Sequence, residues 1–245
     1  MYLYPVNLNL AIDIGNTCCK YAVFSGEKIL ESGSEAYSKE FVEKLILAFP
    51  ASRIIYASVV ALSEADIEFF NGNGFISVRE CLHTPVKSEY KTPETLGEDR
   101  WAAVCGAAFL SGSAFPFLVI QVGTAITFDY VDEKGHYTGG AISPGISLRF
   151  RALHNFTGRL PLVVPEKEFP LMGTTTNDSI LSGVLSGCLA EVEFRIDEFR
   201  KNTNKGSVFM SGGDQGYFDL SHENNIFAVP DIVLVGLNHL LNLNP

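Results

Sequence analysis

Asp13-Ile14-Gly15-Asn16-Thr17-Cys18-Cys19-Lys20 places a carboxylate, a glycine turn, a hydroxyl and a cation close together in the chain. A turn of this kind can present backbone N–H groups and the Thr17 hydroxyl to a phosphate. Asp13 can hold Mg2+ directly or through water, because magnesium takes oxygen ligands, and Lys20 would bring positive charge to the terminal phosphates. The segment is not a Walker A loop, since GxxxxGK[ST] is absent and a strand rather than a helix follows. By itself it also reads as a hairpin with a turn aspartate and a surface lysine.

A second segment repeats the pattern. Val119-Ile120-Gln121-Val122-Gly123 lines up with Ala11-Ile12-Asp13-Ile14-Gly15, position 121 against position 13, an offset of 108 residues. In each copy an apolar run reaches a polar residue, one apolar residue intervenes, and a glycine opens a turn carrying a threonine. Gly123-Thr124-Ala125 would then clamp phosphates from the opposite side, as for a nucleotide held between two related domains. Ser211-Gly212-Gly213-Asp214, following a late strand, permits close approach to a third ligand portion such as the nucleoside. A lone Ser-Gly-Gly reads as no more than a turn; as the third glycine turn at a strand end it joins the set.

The elements needed to position these turns are legible. Leu8–Asp13 and Lys20–Phe24 read as strand, turn, strand. The spacing predicts a helix at about Ser38–Phe49, a strand at Arg53–Val60, a short helix at Ser63–Phe70 and a strand at Gly74–Val78. Leu96–Leu110 holds a small-residue helix from Trp101 to Phe109. Strands over Phe117–Val131 and His136–Ile142 follow. A long helix at about Asn177–Lys201 has apolar residues at three- and four-residue steps, with Thr176 or Asn177 as its cap. Ser207–Met210 is a strand, and a helix at about Asp231–Leu241 closes the chain. Strands lead and helices follow in each half, so the class is α/β. The repeat implies a duplicated architecture, with one domain at 1–114 and another at 115–245. Met1–Asn7 is expected to be a flexible extension.

Composition narrows the partners. With 47% hydrophobic residues the chain can bury a core, and a formal charge of −10 makes it a poor ligand for nucleic acid or an anionic membrane surface. No apolar stretch approaches the ~20 residues that span a bilayer, and Met1–Leu10 lacks the features of a secretory signal. Five cysteines without a CxxC pair suit a reducing, cytoplasmic setting. Lys87, Lys91, Arg149, Arg151 and Arg159 read as dispersed surface charges, and Trp101 as core or subunit interface.

Taken in order, these motifs resemble the superfamily of acetate kinase, sugar kinases, heat-shock ATPases and actin, and within it the type III pantothenate kinases. That family carries DxGNTxxK (here Asp13, Gly15, Asn16, Thr17 and Lys20), GxDR (Gly97-Glu98-Asp99-Arg100) and an upstream tyrosine (Tyr90). Its DxGTA appears as Gln121-Val122-Gly123-Thr124-Ala125, its GGxIxPG as Gly139–Gly145, and its late threonine as Thr176. The resemblance implies two ribonuclease H-like domains with the active site in the cleft between them, a homodimer, and transfer of the γ-phosphoryl of ATP to pantothenate, the first step towards coenzyme A. It implies Asp99 as general base, with Tyr90, Gly97, Glu98, Asp99, Arg100 and Thr176 contacting pantothenate. Read alone, Gly97–Arg100 suits an exposed ion pair at a helix start; beside Arg100, Asp99 is expected to stay ionised.

One position departs from the pattern. Gln121 stands where the family has an aspartate, a residue that implies a monovalent cation ligand for K+ or NH4+. A glutamine carbonyl can still coordinate K+, but a full negative charge is gone, so weaker cation affinity is expected. Asp129, on the following strand, is a substitute acid that sequence periodicity alone does not place. Two further readings remain open: a nucleotide-binding relative that regulates a partner, and a kinase for another small hydroxy substrate.

Overall fold

A computed structural model of the chain describes residues 8–50, 53–203, 206–218 and 225–245. The segment 1–7, read above as an extension, lies outside the described residues. The first half runs β1 (Asn9–Ile14), β2 (Cys19–Ser25), β3 (Lys28–Glu35), α1 (Lys39–Ala48), β4 (Arg53–Ser58), α2 (Glu64–Gly72), β5 (Phe75–Ser77), β6 (Lys87–Ser88) and α3 (Glu98–Leu110). The second runs β7 (Phe117–Val122), β8 (Ala125–Val131), β9 (His136–Pro144), α4 (Ile146–Asn155), α5 (Thr176–Asn202), β10 (Ser207–Ser211), β11 (Ile226–Ala228) and α6 (Ile232–Leu243). No helix among the described residues is long and apolar enough to cross a membrane.

Two compact units emerge. One comprises Met1–Ala114, Gly135–Tyr137 and Asp231–Pro245, the other Phe115–Lys134 and Thr138–Pro230. The C-terminal helix α6, met late in the chain, therefore belongs with the first unit.

In the first unit the strand order is β3-β2-β1-β4-β5. β1 pairs antiparallel with β2 and parallel with β4. Strand alternation turns Leu10, Ile12 and Ile14 to one face, where they join Phe41, Val42 and Leu45 of α1 and Phe70 of α2 in a buried cluster. Ser38 caps α1 by accepting from the Phe41 N–H, and Ser63 forms a reciprocal capping box with Asp66 on α2. Buried Asn9 is satisfied by donating to Asn238 (2.8 Å) and Asn242 (2.7 Å) of α6.

The small residues of α3 have a steric cause. A Cβ on Gly236 of α6 would lie 1.8 Å from the Ala102 carbonyl oxygen, and one on Gly106 would lie 2.3 Å from the Ile232 oxygen. The two helices meet backbone to backbone, and this contact sets where the body of α3 lies. Gly236→Ala should therefore cost about 1–3 kcal/mol by overpacking. Urea denaturation checks this, with a fall in the midpoint expected; an unchanged midpoint would contradict the packing described.

The second unit repeats the topology. Its strands follow β9-β8-β7-β10-β11, the same third-second-first-fourth-fifth order, with β7/β8 antiparallel and β10 parallel to β7 and β11. β1 and β7 are both six residues long and begin at positions 9 and 117, the 108-residue offset seen in the sequence. Leu118, Ile120, Val122, Ile126 and Phe128 pack against Ile180, Leu181, Val184, Leu185, Cys188 and Val192 of α5. Both sheets are mixed and carry helices, an α/β fold of the ribonuclease H-like kind in two copies.

Four elements escaped the sequence reading, among them β6, only two residues long. β3 is an edge strand with no buried residue, so it lacks the alternation that marks a half-buried strand. α4 is amphipathic but buries only Ile146 and Phe150. β11 is three residues long. The long helix α5 is capped by Thr175, whose side chain accepts from the Asp178 N–H at 3.2 Å, rather than by Thr176 or Asn177.

Candidate functional site

β1 carries Asp13 to the sheet end, where the antiparallel register sets Lys20 of β2 directly opposite it. The turn between them is closed by the Gly15 N–H donating to the Cys18 carbonyl at 3.0 Å, which leaves Asn16 and Thr17 exposed. Asp13 Oδ1 is shut off from solvent and has no hydrogen-bond partner among the described residues. Burial and, secondarily, the charge of Asp99 push the Asp13 carboxyl up to about 7, against a smaller opposing pull from Lys20. A buried, unsatisfied carboxylate oxygen facing a second acid is costly unless a cation or proton arrives. That chemistry fits a divalent metal bound through few protein ligands, as Mg2+ is when phosphates complete its sphere. No group of three or more metal-ligating side chains occurs among the described residues.

Asp99 occupies the first turn of α3 behind Gly97, the residue preceding the helix. Its Oδ1 accepts from the Arg100 N–H at 2.8 Å. Burial raises the Asp99 carboxyl above its ordinary value and outweighs the lowering influence of the Arg100 N–H and charge. The shift makes Asp99 a stronger base towards a hydroxyl.

Arg100 turns elsewhere. Its Nη2 donates to the Tyr137 hydroxyl at 3.0 Å, and both residues are buried. Tyr90 stacks on the Tyr137 ring with centroids 5.8 Å apart, and Trp101 meets it edge-on at 6.0 Å. Tyr90, Arg100 and Trp101 thus converge on Tyr137. Sequence reasoning missed that residue, which follows a polar turn, Asp132–Gly135, and carries no motif of its own. Glu98, expected at the substrate, has its carboxylate engaged by protein: Oε2 accepts from the Ser58 N–H at 2.8 Å and Oε1 from Arg79 Nε at 2.6 Å.

The second unit builds a turn almost without side chains. Gly123 donates to the Ala125 carbonyl and Gly145 to the Thr124 carbonyl, each at 3.0 Å. A Cβ on Gly145 would fall 2.0 Å from the Gly123 oxygen. Gly212 has φ +110°, and a Cβ there would fall 2.1 Å from the Val122 oxygen, so this position demands glycine on both counts. Gly123, Thr124, Gly145 and Gly212 are therefore brought together, with Thr124 and Gly213 exposed beside them. Thr176 lies in this same unit, exposed on the first turn of α5.

Gln121 pairs across strands with Thr127, and Val119 with Asp129, so all four share the face opposite the apolar core. Gln121 Nε2 and Thr127 Oγ1 are buried and without a hydrogen-bond partner among the described residues. Asp129 is fully buried on this face. The turn after β7 is one residue shorter than its counterpart after β1, which is why Thr127 takes the place opposite Gln121 that Lys20 takes opposite Asp13. Gln121 and Thr127 each carry a neutral side-chain oxygen, with none of the charge an aspartate would add.

Comparison with known proteins agrees with these motifs. The profile of the family described as type III pantothenate kinase matches residues 9–198. A protein of Phocaeicola vulgatus named type III pantothenate kinase is 40% identical over 242 residues, covering 97% of this chain and 99% of that one. Among solved structures, a Campylobacter jejuni protein described under the Baf family of transcriptional activators superposes with a TM-score of 0.65 at 20% identity, covering 96% of this chain and 98% of that one. An inorganic polyphosphate/ATP-glucomannokinase from Arthrobacter sp. strain KM does so at 0.51 and 12%, covering 97% and 98%. These two likenesses show the fold alone. The profile match and the full-length identity, falling on a chain whose glycine turns and acidic groups stand at the ends of duplicated strands, show that it belongs to the type III pantothenate kinase family.

Proposed function

We propose that this chain transfers the γ-phosphoryl group of ATP to the primary hydroxyl of pantothenate, giving 4′-phosphopantothenate, the first step of coenzyme A synthesis. The observation that carries the reading is the pair of acids in the first unit, Asp13 with its buried unpartnered oxygen and Asp99 close enough to raise it. In this account Asp13 holds Mg2+, and Lys20 with the Gly15–Thr17 turn faces the phosphates. Gly123, Thr124, Gly212 and Gly213 supply the second set of backbone groups for ATP. The metal, when bound, neutralises charge on the phosphate oxygens. Asp99 accepts the pantothenate hydroxyl proton, and Tyr90, Gly97, Arg100 and Thr176 position that substrate. Nothing favours a purely regulatory role: the Campylobacter likeness is at a level that speaks only to fold.

The same reading places the protein in the cytoplasm as a homodimer of two-domain chains; the expected division at residues 114 and 115 is amended by Gly135–Tyr137 and Asp231–Pro245, which belong with the first unit. The exposed Phe156, Val164, Leu171 and Met172 give the second unit apolar surface for such a contact.

Pantothenate-dependent release of ADP from ATP and Mg2+ tests the activity, and the same assay tests the cation. With Gln121 neutral, exchange of Na+ for K+ should change the rate little. Gln121→Asp adds a carboxylate on the face of buried Asp129 and should make the rate rise about tenfold with K+, the equivalent of about 1.4 kcal/mol. A wild-type enzyme as K+-dependent as the variant would contradict this account of Gln121.

A further inference from the structure

We infer that Glu98 is a positioning residue for Asp99, a latch that fastens the start of α3 to the end of the β-sheet, rather than a ligand of the substrate. The inference rests on the reading of Asp99 as the base. Its basis is geometric. β4 runs parallel to β1 with Ser58 in register with Ile14, the residue after Asp13. The Val59 N–H donates to the Ile14 carbonyl at 3.1 Å, which ties the ends of these two strands together. The Ser58 N–H, beyond the last β4–β5 pair at Tyr56 and Ser77, donates to Glu98 Oε2 at 2.8 Å. The other oxygen, Oε1, takes the Arg79 Nε–H at 2.6 Å, and Arg79 Nη2 also donates to the Leu96 carbonyl at 3.2 Å. Arg79 follows β5, so one carboxylate gathers the β4 end, the segment after β5 and the first turn of α3.

Asp99 is the next residue on that turn. The Glu98 side chain is only 11% exposed, and both of its oxygens already hold charge-assisted or backbone donors, so it has little left to give a substrate. The need for a latch is physical. Asp13 and Asp99 repel each other when both are ionised, and the first turn of a helix is the place where backbone hydrogen bonds are missing and fraying starts. The α3–α6 glycine contact fixes the body of α3, whereas the Glu98 bonds fix its tip.

The test compares Glu98→Ala, Glu98→Gln and Arg79→Met in steady-state pantothenate phosphorylation, with each variant's thermal melt recorded. Glu98→Ala should lower kcat about 10–100-fold, the range for a displaced catalytic group, with KM for pantothenate within about twofold of wild type. Glu98→Gln retains an acceptor for the Ser58 N–H and should fall between the two. Arg79→Met, at a side chain 46% exposed, should fold normally and lower kcat by several-fold, which keeps the inference testable if Glu98→Ala does not fold. In an Asp99→Asn background the Glu98→Ala loss should nearly vanish, since the residue acts through Asp99. A large rise in KM with kcat intact would overturn the inference, as would an equal loss in both backgrounds or wild-type rates in Glu98→Ala and Arg79→Met. Should Asp99→Asn itself keep full rate, the reading of the base fails and the inference fails with it, an outcome distinct from all the others.

Discussion

Asp99→Asn should lower kcat for pantothenate phosphorylation by about 10²–10⁴-fold, the usual contribution of a positioned general base, while ATP binding is expected to persist. The amide keeps the shape of the carboxylate and its acceptor oxygen for the Arg100 N–H, so α3 should start as before. What goes is the capacity to take a proton. Burial has already raised the Asp99 carboxyl above its ordinary range, which matches it better to a hydroxyl than an exposed aspartate would be. Nucleotide titration and steady-state kinetics separate the two effects: loss of kcat with an unchanged nucleotide Kd is expected. Loss of ATP binding instead would place Asp99 among the nucleotide groups.

The second large effect has opposite signs in two measurements. Asp13→Asn should abolish turnover, since no other carboxylate in the glycine turn can hold the metal, and yet stabilise the metal-free protein near neutrality. The sign follows from linkage. An acid whose folded value lies near 7, against an unfolded value near 3.8, binds more protons folded than unfolded between those limits. Stability therefore falls as pH rises from about 4 to about 7 and is level beyond. Three units correspond to about 4 kcal/mol as an order of magnitude, which the asparagine does not incur. In metal-free buffer the variant should melt several degrees above wild type at pH 8, with the gap narrowing at pH 5. A gap independent of pH would show that Asp13 is not the titrating group.

How much of this was visible before the fold depends on whether the signal is local. The Asp13–Lys20 pairing and the repeat at Gln121 could be read because a strand with its turn is a local object. The 108-residue offset then became two strands of equal length in equivalent sheets. The first-turn site on α3 was legible as a motif, but its electrostatics were not. Arg100 adjoins Asp99 in sequence while its guanidinium bonds Tyr137, so proximity along the chain overstated its influence. Tyr137 and Arg79 lie far in sequence from the residues they support, and nothing local announces them. The edge strand β3 hid for a different reason: with one sheet neighbour and exposed faces it carries no burial pattern. Thr175 took the cap from Thr176 because three threonines in a row, Thr174 to Thr176, leave the helix start undetermined by composition alone.

The central claim is that Asp13 and Asp99 serve phosphoryl transfer to pantothenate. Mass spectrometry of the products formed from pantothenate, ATP and Mg2+ by the purified wild type, beside Asp99→Asn, tests it most directly. The account predicts 4′-phosphopantothenate from the wild type and about 10²–10⁴-fold less per unit time from the variant. Folded wild-type protein that binds ATP and yields no phosphopantothenate, with or without K+, would contradict it.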